Sequence, residues 1–286
     1  VAGINTVVQP KSPAKGMAAG SGESVEKVLT RIAGSGTPAY NQAKAMFDKP
    51  SSVPMQANEL PQQGACGSCY AQAAIGSLEL QLKQARKFKA PLSVQQAIDC
   101  VRSSESSGCA GGTPMDVLDY FKTHPIALAS EYPYTGTVGQ CRDYKPTNGK
   151  VFSNGFQLVA PSCTSGACNA QASHEISILS QIAKRGAIPL IAYVDASKWQ
   201  NYASGLFPVS YCSAHSDNGN HVVQIVGWGV ESINDPSKPG AKIKVPYWKV
   251  RNSWGNSWGE RGFIKLPFGV NACGIANYVG LAAAPK

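Results

Sequence analysis

Nine cysteines in a chain of 286 residues leave one thiol over, however the rest pair. Many disulfides belong to an oxidising compartment, so the chain reads as secreted, periplasmic or lysosomal/vacuolar. The leftover thiol then needs a reason to be there, and spacing alone does not choose among the connectivities. The composition suits a compact, loop-rich protein. Charged residues make up 15%, with 29 Gly and 19 Pro, which argues against a disordered chain or a coiled coil. The 43% hydrophobic content can fill one large core or two small ones.

No apolar run reaches the roughly 18 residues needed to span a bilayer, so no membrane partner is expected. Val1 to Asn5 lack the charged-then-apolar pattern of a secretory leader, and the numbering is read as starting after a removed signal. The net charge of +9 comes from scattered Lys and Arg, densest from Lys83 to Lys89. With no nucleic-acid motif beside it, this charge reads as a solvated surface, and no nucleic-acid partner is expected.

Along the chain the character changes once. Residues 1–22 read as a loose arm rich in Gly, Ala, Ser, Pro and Lys. Ser24 and Thr37-Pro38 are placed to open two short helices, the second running to about Phe47. Residues 68–88 carry a helical stripe of Ala71, Ile75, Leu78 and Leu82. Ser93 with Gln96 reads as a capping box, Thr113-Pro114 as another helix start, and Ser173 as one more cap. After about residue 186, Ile188–Val194, His221–Trp228, Tyr247–Val250 and Gly262–Leu266 read as strands. This segregation predicts an α+β protein with two lobes and a cleft between them.

Cys69, in the stretch Gln63-Gly64-Ala65-Cys66-Gly67-Ser68-Cys69-Tyr70, lies at the start of the long helical pattern. Positive partial charge at a helix N-terminus biases a thiol toward thiolate, as a nucleophile requires. Cys66 and Cys69 also fit a redox pair or half a zinc site, but no second Cys-x₂-Cys and no thioredoxin-like context accompany them. Of the four histidines, His221 stands directly before the strand Val222–Val226, with His215 the nearby competitor.

The stretch resembles the active-site sequence of the papain and cathepsin family of cysteine peptidases. The resemblance continues in order through Ile98-Asp99-Cys100, Gly108 to Gly112, Tyr132-Pro133-Tyr134 with Cys141, Asn220-His221-Val222, and Arg251 to Glu260. It covers roughly residues 56–282. It implies a papain-like fold with a helical lobe over 56–155 and a β-barrel-like lobe over 156–286, and it leaves an N-terminal arm over 1–55 without a match. That arm is expected to be propeptide-like or groove-covering, or else packed on the back of the molecule.

By position, the resemblance makes Cys69 the nucleophile, His221 the general base and acid, and Asn252 the residue that orients the imidazole. Gln63 and the Cys69 amide become the oxyanion hole, and Trp254 the shield of the His–Asn bond. It assigns Gly111, Gly112, Thr113, Pro114, Tyr193, Val222 and Tyr278 to the substrate groove. It pairs Cys66 with Cys109, Cys100 with Cys141 and Cys212 with Cys273, leaving Cys163 to Cys168. The implied partners are protein or peptide substrates and proteinaceous inhibitors. No metal or organic cofactor is implied, and a monomer is expected. The expected activity is that of an endopeptidase working through a thioester. The alternatives are a dipeptidyl or aminopeptidase, a ligase, or an idle binding or storage relative.

The sequence departs from the family pattern in several places. Tyr70 stands where Trp is usual, the Asp-Trp common near residues 50–60 is missing, and an insertion at about 231–243 lengthens a β connection. No two-His occluding loop lies between Cys100 and Cys109, which argues against removal of C-terminal dipeptides.

Overall fold

The computed structural model describes residues 22–52, 60–85, 90–145, 150–160, 162–163, 174–185, 189–215, 219–235 and 237–283. The Cys163–Cys168 pairing, the Ser173 cap and most of the N-terminal arm's first 22 residues lie outside them.

Local signals set the helix starts. Ser24 caps Val25–Ala33 (α1), its hydroxyl accepting from the Lys27 amide. Thr37 caps Pro38–Phe47 (α2) in the same way through Tyr40. Thr113 does so for Pro114–Tyr120 (α5), through Asp116. Ser93 caps Val94–Cys100 (α4) through the Gln96 amide, but Gln96 does not reach back to close the box. Its side chain instead accepts from Ala127 and donates to the Pro125 carbonyl, anchoring α4 to a later loop.

Cys69–Gln84 (α3) is buried on nearly every face, more than its predicted stripe requires. The reason is its position between two cores. Ile75 and Leu78 pack with Ile98, Leu118 and Phe121 in the helical lobe, and Leu80 joins the core of the β-rich lobe.

The β-rich lobe is a seven-stranded antiparallel sheet. Its strands are Ser51–Ser52 (β1), Phe156–Leu158 (β2), Leu190–Val194 (β3), His221–Asn234 (β4), Lys242–Arg251 (β5), Phe263–Pro267 (β6) and Val279–Ala282 (β7). The order is β2-β7-β3-β4-β5-β6, with β1 added to β4. His174–Lys184 (α6) packs Ile178, Leu179 and Ile182 into the core beneath the sheet. The insertion near 231–243 is itself paired, Ile233 facing Ile243 and Asn234 facing Lys242, so it prolongs a hairpin.

Helices α1 and α2 share the β-rich core. Val28, Leu29 and Phe47 are buried in it, and the Phe47 ring meets Phe268 edge-on at 4.9 Å. The Trp228 indole donates to the Met46 carbonyl at 2.9 Å. Disulfides Cys66–Cys109 and Cys100–Cys141 staple the helical lobe, and Cys212–Cys273 staples the other. Among the described residues Cys69 is the free cysteine.

Candidate active site

Cys69 opens α3, and Ser68 at the N-cap makes no capping hydrogen bond to it. The Ser68 hydroxyl instead meets the Tyr134 hydroxyl at 2.9 Å, and that phenol donates to the Gln63 carbonyl at 2.7 Å. The amides of the first helical turn are therefore left to the Cys69 side chain and whatever binds there. The sulfur sits within hydrogen-bond reach of the backbone amides of Val222 and Tyr70. Val222 follows His221 directly, so the thiol of one lobe lies against the first residues of β4 in the other.

His221 is buried, and its Nε2 donates to Asn252 Oδ1 at 2.8 Å. The same oxygen accepts from the Ser253 amide at 2.8 Å. Two donors fix the amide orientation, since a flipped Asn252 would set its NH₂ against both. The proton on Nε2 leaves Nδ1 as the acceptor nitrogen. Trp254 lies tilted over the imidazole at 5.1 Å between centroids, and Trp199 meets it edge-on at 6.3 Å. Trp258 stacks on Trp199 and donates to its carbonyl, completing an indole wall around the imidazole.

This dry setting acts on both groups. Burial pushes the Cys69 thiol up, against the pull of the amides of Val222, Tyr70 and Cys69 itself. That is opposite to what the helix terminus alone favours. Burial also pulls His221 down to about 4, with the Asn252 hydrogen bond opposing. Neither group charges easily alone in this setting.

Gln63 is buried and held at both ends of its amide. Nε2 donates to the Cys66 carbonyl at 2.9 Å, and Oε1 accepts from Ser253 Oγ at 2.5 Å. Between the lobes, Arg251 donates to Gln224, and Gln224 donates to the Ala73 carbonyl on α3. This relay ties the helix of Cys69 to the strand of His221 and to the end of β5, just before Asn252.

A cavity of about 540 Å³ opens beside Gly112, Thr113, Tyr193 and Tyr278, with Met115 and Glu105 also on its wall. Gly111, Pro114 and Val222 are not on that wall. Pro114 is buried as the first residue of α5, and Val222 is buried opposite Tyr193 in the sheet. Gly111 has a φ of 122°, which disfavours any other residue. Gly112 has a different reason to be glycine, because a Cβ there would lie 2.6 Å from the Tyr70 ring. His215, the competing histidine, lines this cavity, while Asn252 is hydrogen-bonded to His221.

Ser253, Tyr134, Trp199, Trp258 and Met115 are absent from the site as read from sequence. Ser253, Trp258 and Tyr134 lay inside recognised motifs, but nothing in the chain marks Trp199 and Met115.

The model of the papain family cysteine protease matches residues 46–283. Oryzain gamma chain from Oryza sativa subsp. japonica is 34% identical over 75% of this chain and 53% of its own length. Cathepsin R from Mus musculus is 35% identical over 76% and 59%. The chain thus spans little more than half the length of these curated relatives. Procathepsin L 3 from the larval midgut of Tenebrio molitor superposes with a TM-score of 0.63 at 29% identity, covering 81% of this chain and 67% of that one. The bromelain protease from Ananas comosus gives 0.61 at 29% identity, covering 79% and 93%. The match across both lobes, in order and over most of the chain, makes this protein a member of the papain family of cysteine proteases.

Proposed function

We propose that the chain is a cysteine endopeptidase in which Cys69, His221 and Asn252 hydrolyse peptide bonds through a thioester. The observation that carries this reading is a free, buried thiol at the head of α3 that feels the backbone amide of Val222, the residue directly after a His221 hydrogen-bonded to Asn252. Cys69 gives its proton to His221 Nδ1, and the thiolate attacks the peptide carbonyl. The oxyanion takes hydrogen bonds from the Cys69 amide and the second hydrogen of Gln63 Nε2, whose first is held by Cys66. His221 then protonates the leaving amine as the C–N bond breaks. It next takes a proton from water, which releases the acid and regenerates the thiol. Trp254 keeps bulk water from the His221–Asn252 bond.

The domain division follows the same reading, with a helical lobe to about residue 155 carrying the nucleophile and a β-rich lobe carrying the base. Exopeptidase or ligase action needs one end of the groove blocked. The described arm, α1 and α2, packs on α6, β4 and β5, which favours a buttress over a cover. The disulfides and the family fit a secreted or lysosomal/vacuolar compartment.

The test is labelling with an epoxide inhibitor of thiol peptidases, followed by mass mapping, in the wild type and Cys69→Ala. Single labelling at Cys69, lost in the variant, is expected. Absence of labelling both in the intact chain and after removal of residues 1–50 would reject the activated nucleophile and favour an idle relative.

A further inference from the structure

A second cavity, of about 740 Å³, lies on the outer face of β5 and β6. Strand alternation builds its floor. Trp248 and Val250 point into the core, so Tyr247 and Lys249 point outward. Lys265 on β6 is the direct cross-strand partner of Lys249. Like charges placed directly opposite oppose folding, and here both lysines are partly buried.

Only one of the two is answered by carboxylates. Lys265 Nζ lies 2.7 Å from Glu231 and 3.1 Å from Glu260. Burial pulls its pKa down, but those two carboxylates more than offset the effect. Lys249 has the face of Phe263 at 4.6 Å and no carboxylate among the described residues at salt-bridge distance. Burial lowers its pKa, and Lys265 adds to the lowering while Glu260 opposes it. Arg261 stands on the rim in a left-handed conformation with a φ of 54°, unusual for a residue with a side chain. Both glutamates are engaged by Lys265, and Glu260, on the same wall, reaches Lys249 only as a more distant charge. Ser204 and Asn256 add polar groups on the same wall.

We propose that this outer cavity binds a small phosphate- or sulfate-bearing ligand, its oxyanion held by Lys249 and Arg261. Two cations on one cavity wall with no carboxylate among the described residues at salt-bridge distance suit a dianion, and a guanidinium with an ammonium is a fitting donor set for one. The Phe263 and Tyr247 rings offer a flat wall to the body that carries the oxyanion. The site is separate from the peptidase reading and does not rest on it.

The test uses the full chain with Cys69 alkylated against self-digestion. Thermal shift and calorimetry are run with sodium pyrophosphate and with sodium sulfate, against sodium chloride at matched ionic strength. A saturable rise in Tm with pyrophosphate or sulfate, but not with chloride, is expected. The tighter of the two tells a phosphorylated from a sulfated ligand. Lys249→Gln should weaken that binding about tenfold, the fold-change of one charge-assisted hydrogen bond, while Lys249→Arg keeps it. Arg261→Gln, on the exposed rim, should weaken binding without touching the floor of the cavity. No saturable response to either oxyanion, an equal response to chloride, or a response unchanged in both Lys249→Gln and Arg261→Gln would overturn the proposal. The last result would leave Lys249 as a lysine that merely lays its stem on Phe263.

Discussion

Replacing Ser253 by Ala tests whether the oxyanion hole depends on how Gln63 is held. Ser253 Oγ donates to Gln63 Oε1, and without it only the Cys66 carbonyl distinguishes the two ends of the amide. The lost hydrogen bond is worth about 0.5–1.5 kcal/mol, a factor of roughly two to twelve if it is felt in full at the transition state. The ceiling is the loss of the donor itself, about 10²–10³ in kcat, which is the cost expected for Gln63→Ala. Ser253→Ala should therefore lower kcat about three- to tenfold with KM within about twofold, because the amide binds the developing oxyanion more tightly than the ground-state carbonyl. Ser253→Thr keeps the hydroxyl and should restore most of the rate. Joined to Gln63→Ala, Ser253→Ala should add almost nothing, since its effect runs through Gln63. The assay is steady-state cleavage of a fluorogenic peptide, with active sites titrated by the epoxide. An unchanged kcat, a loss confined to KM, or losses that multiply in the double variant would refute the positioning role.

Three further outcomes are expected. Tyr278 donates to Met115 Sδ at 3.1 Å and stands edge-on to Tyr193, which shortens the cavity beside Thr113. Peptides with Val or Leu second from the cut should then beat those with Arg, since Glu105 at the mouth is exposed and screened. A substrate panel in which Arg wins would sink this assignment. Phe47→Ala removes a buried ring from the β-rich core and should cost about 3–5 kcal/mol in urea unfolding, with the Cys69 labelling rate unchanged well below Tm. Faster labelling after deletion of residues 1–50 would show instead that the arm covers the groove. Glu175 is fully buried, and burial raises its carboxyl to about 7 from 4.5 despite donors from Gly269, Asn271 and Trp248. The folded chain then holds a proton that the unfolded chain releases earlier. The contribution is complete below about 4.5 and is lost as pH rises through about 7, on the order of 3 kcal/mol at most. Glu175→Gln should flatten that decline, and urea midpoints across the window with the same slope in both proteins would exclude Glu175 as its source.

The division between what the sequence disclosed and what it withheld follows the range of the interactions. Helix starts at Ser24, Thr37, Ser93 and Thr113 were legible because a cap is a contact over three residues. The long strands were legible as apolar runs bounded by turns. Strands β1, β2 and β7 were not, because segments of two to four residues take their conformation from the neighbour they pair with. The same rule divides the site. Cys69, His221, Asn252 and Gln63 sit in local motifs, so a resemblance could locate them. Ser253 and Tyr134 owe their place to Gln63, which is 190 and 71 residues away from them. Lys249 and Lys265 show it most plainly. Each reads alone as one more solvated lysine, and only the β5–β6 register sets them side by side on the floor of a cavity. A property that exists only in the pairing of two distant residues has no local signature. That is also why the charge of +9, ordinary as a total, gains a chemical meaning where Lys249 and Arg261 line one cavity with no carboxylate among the described residues at salt-bridge distance.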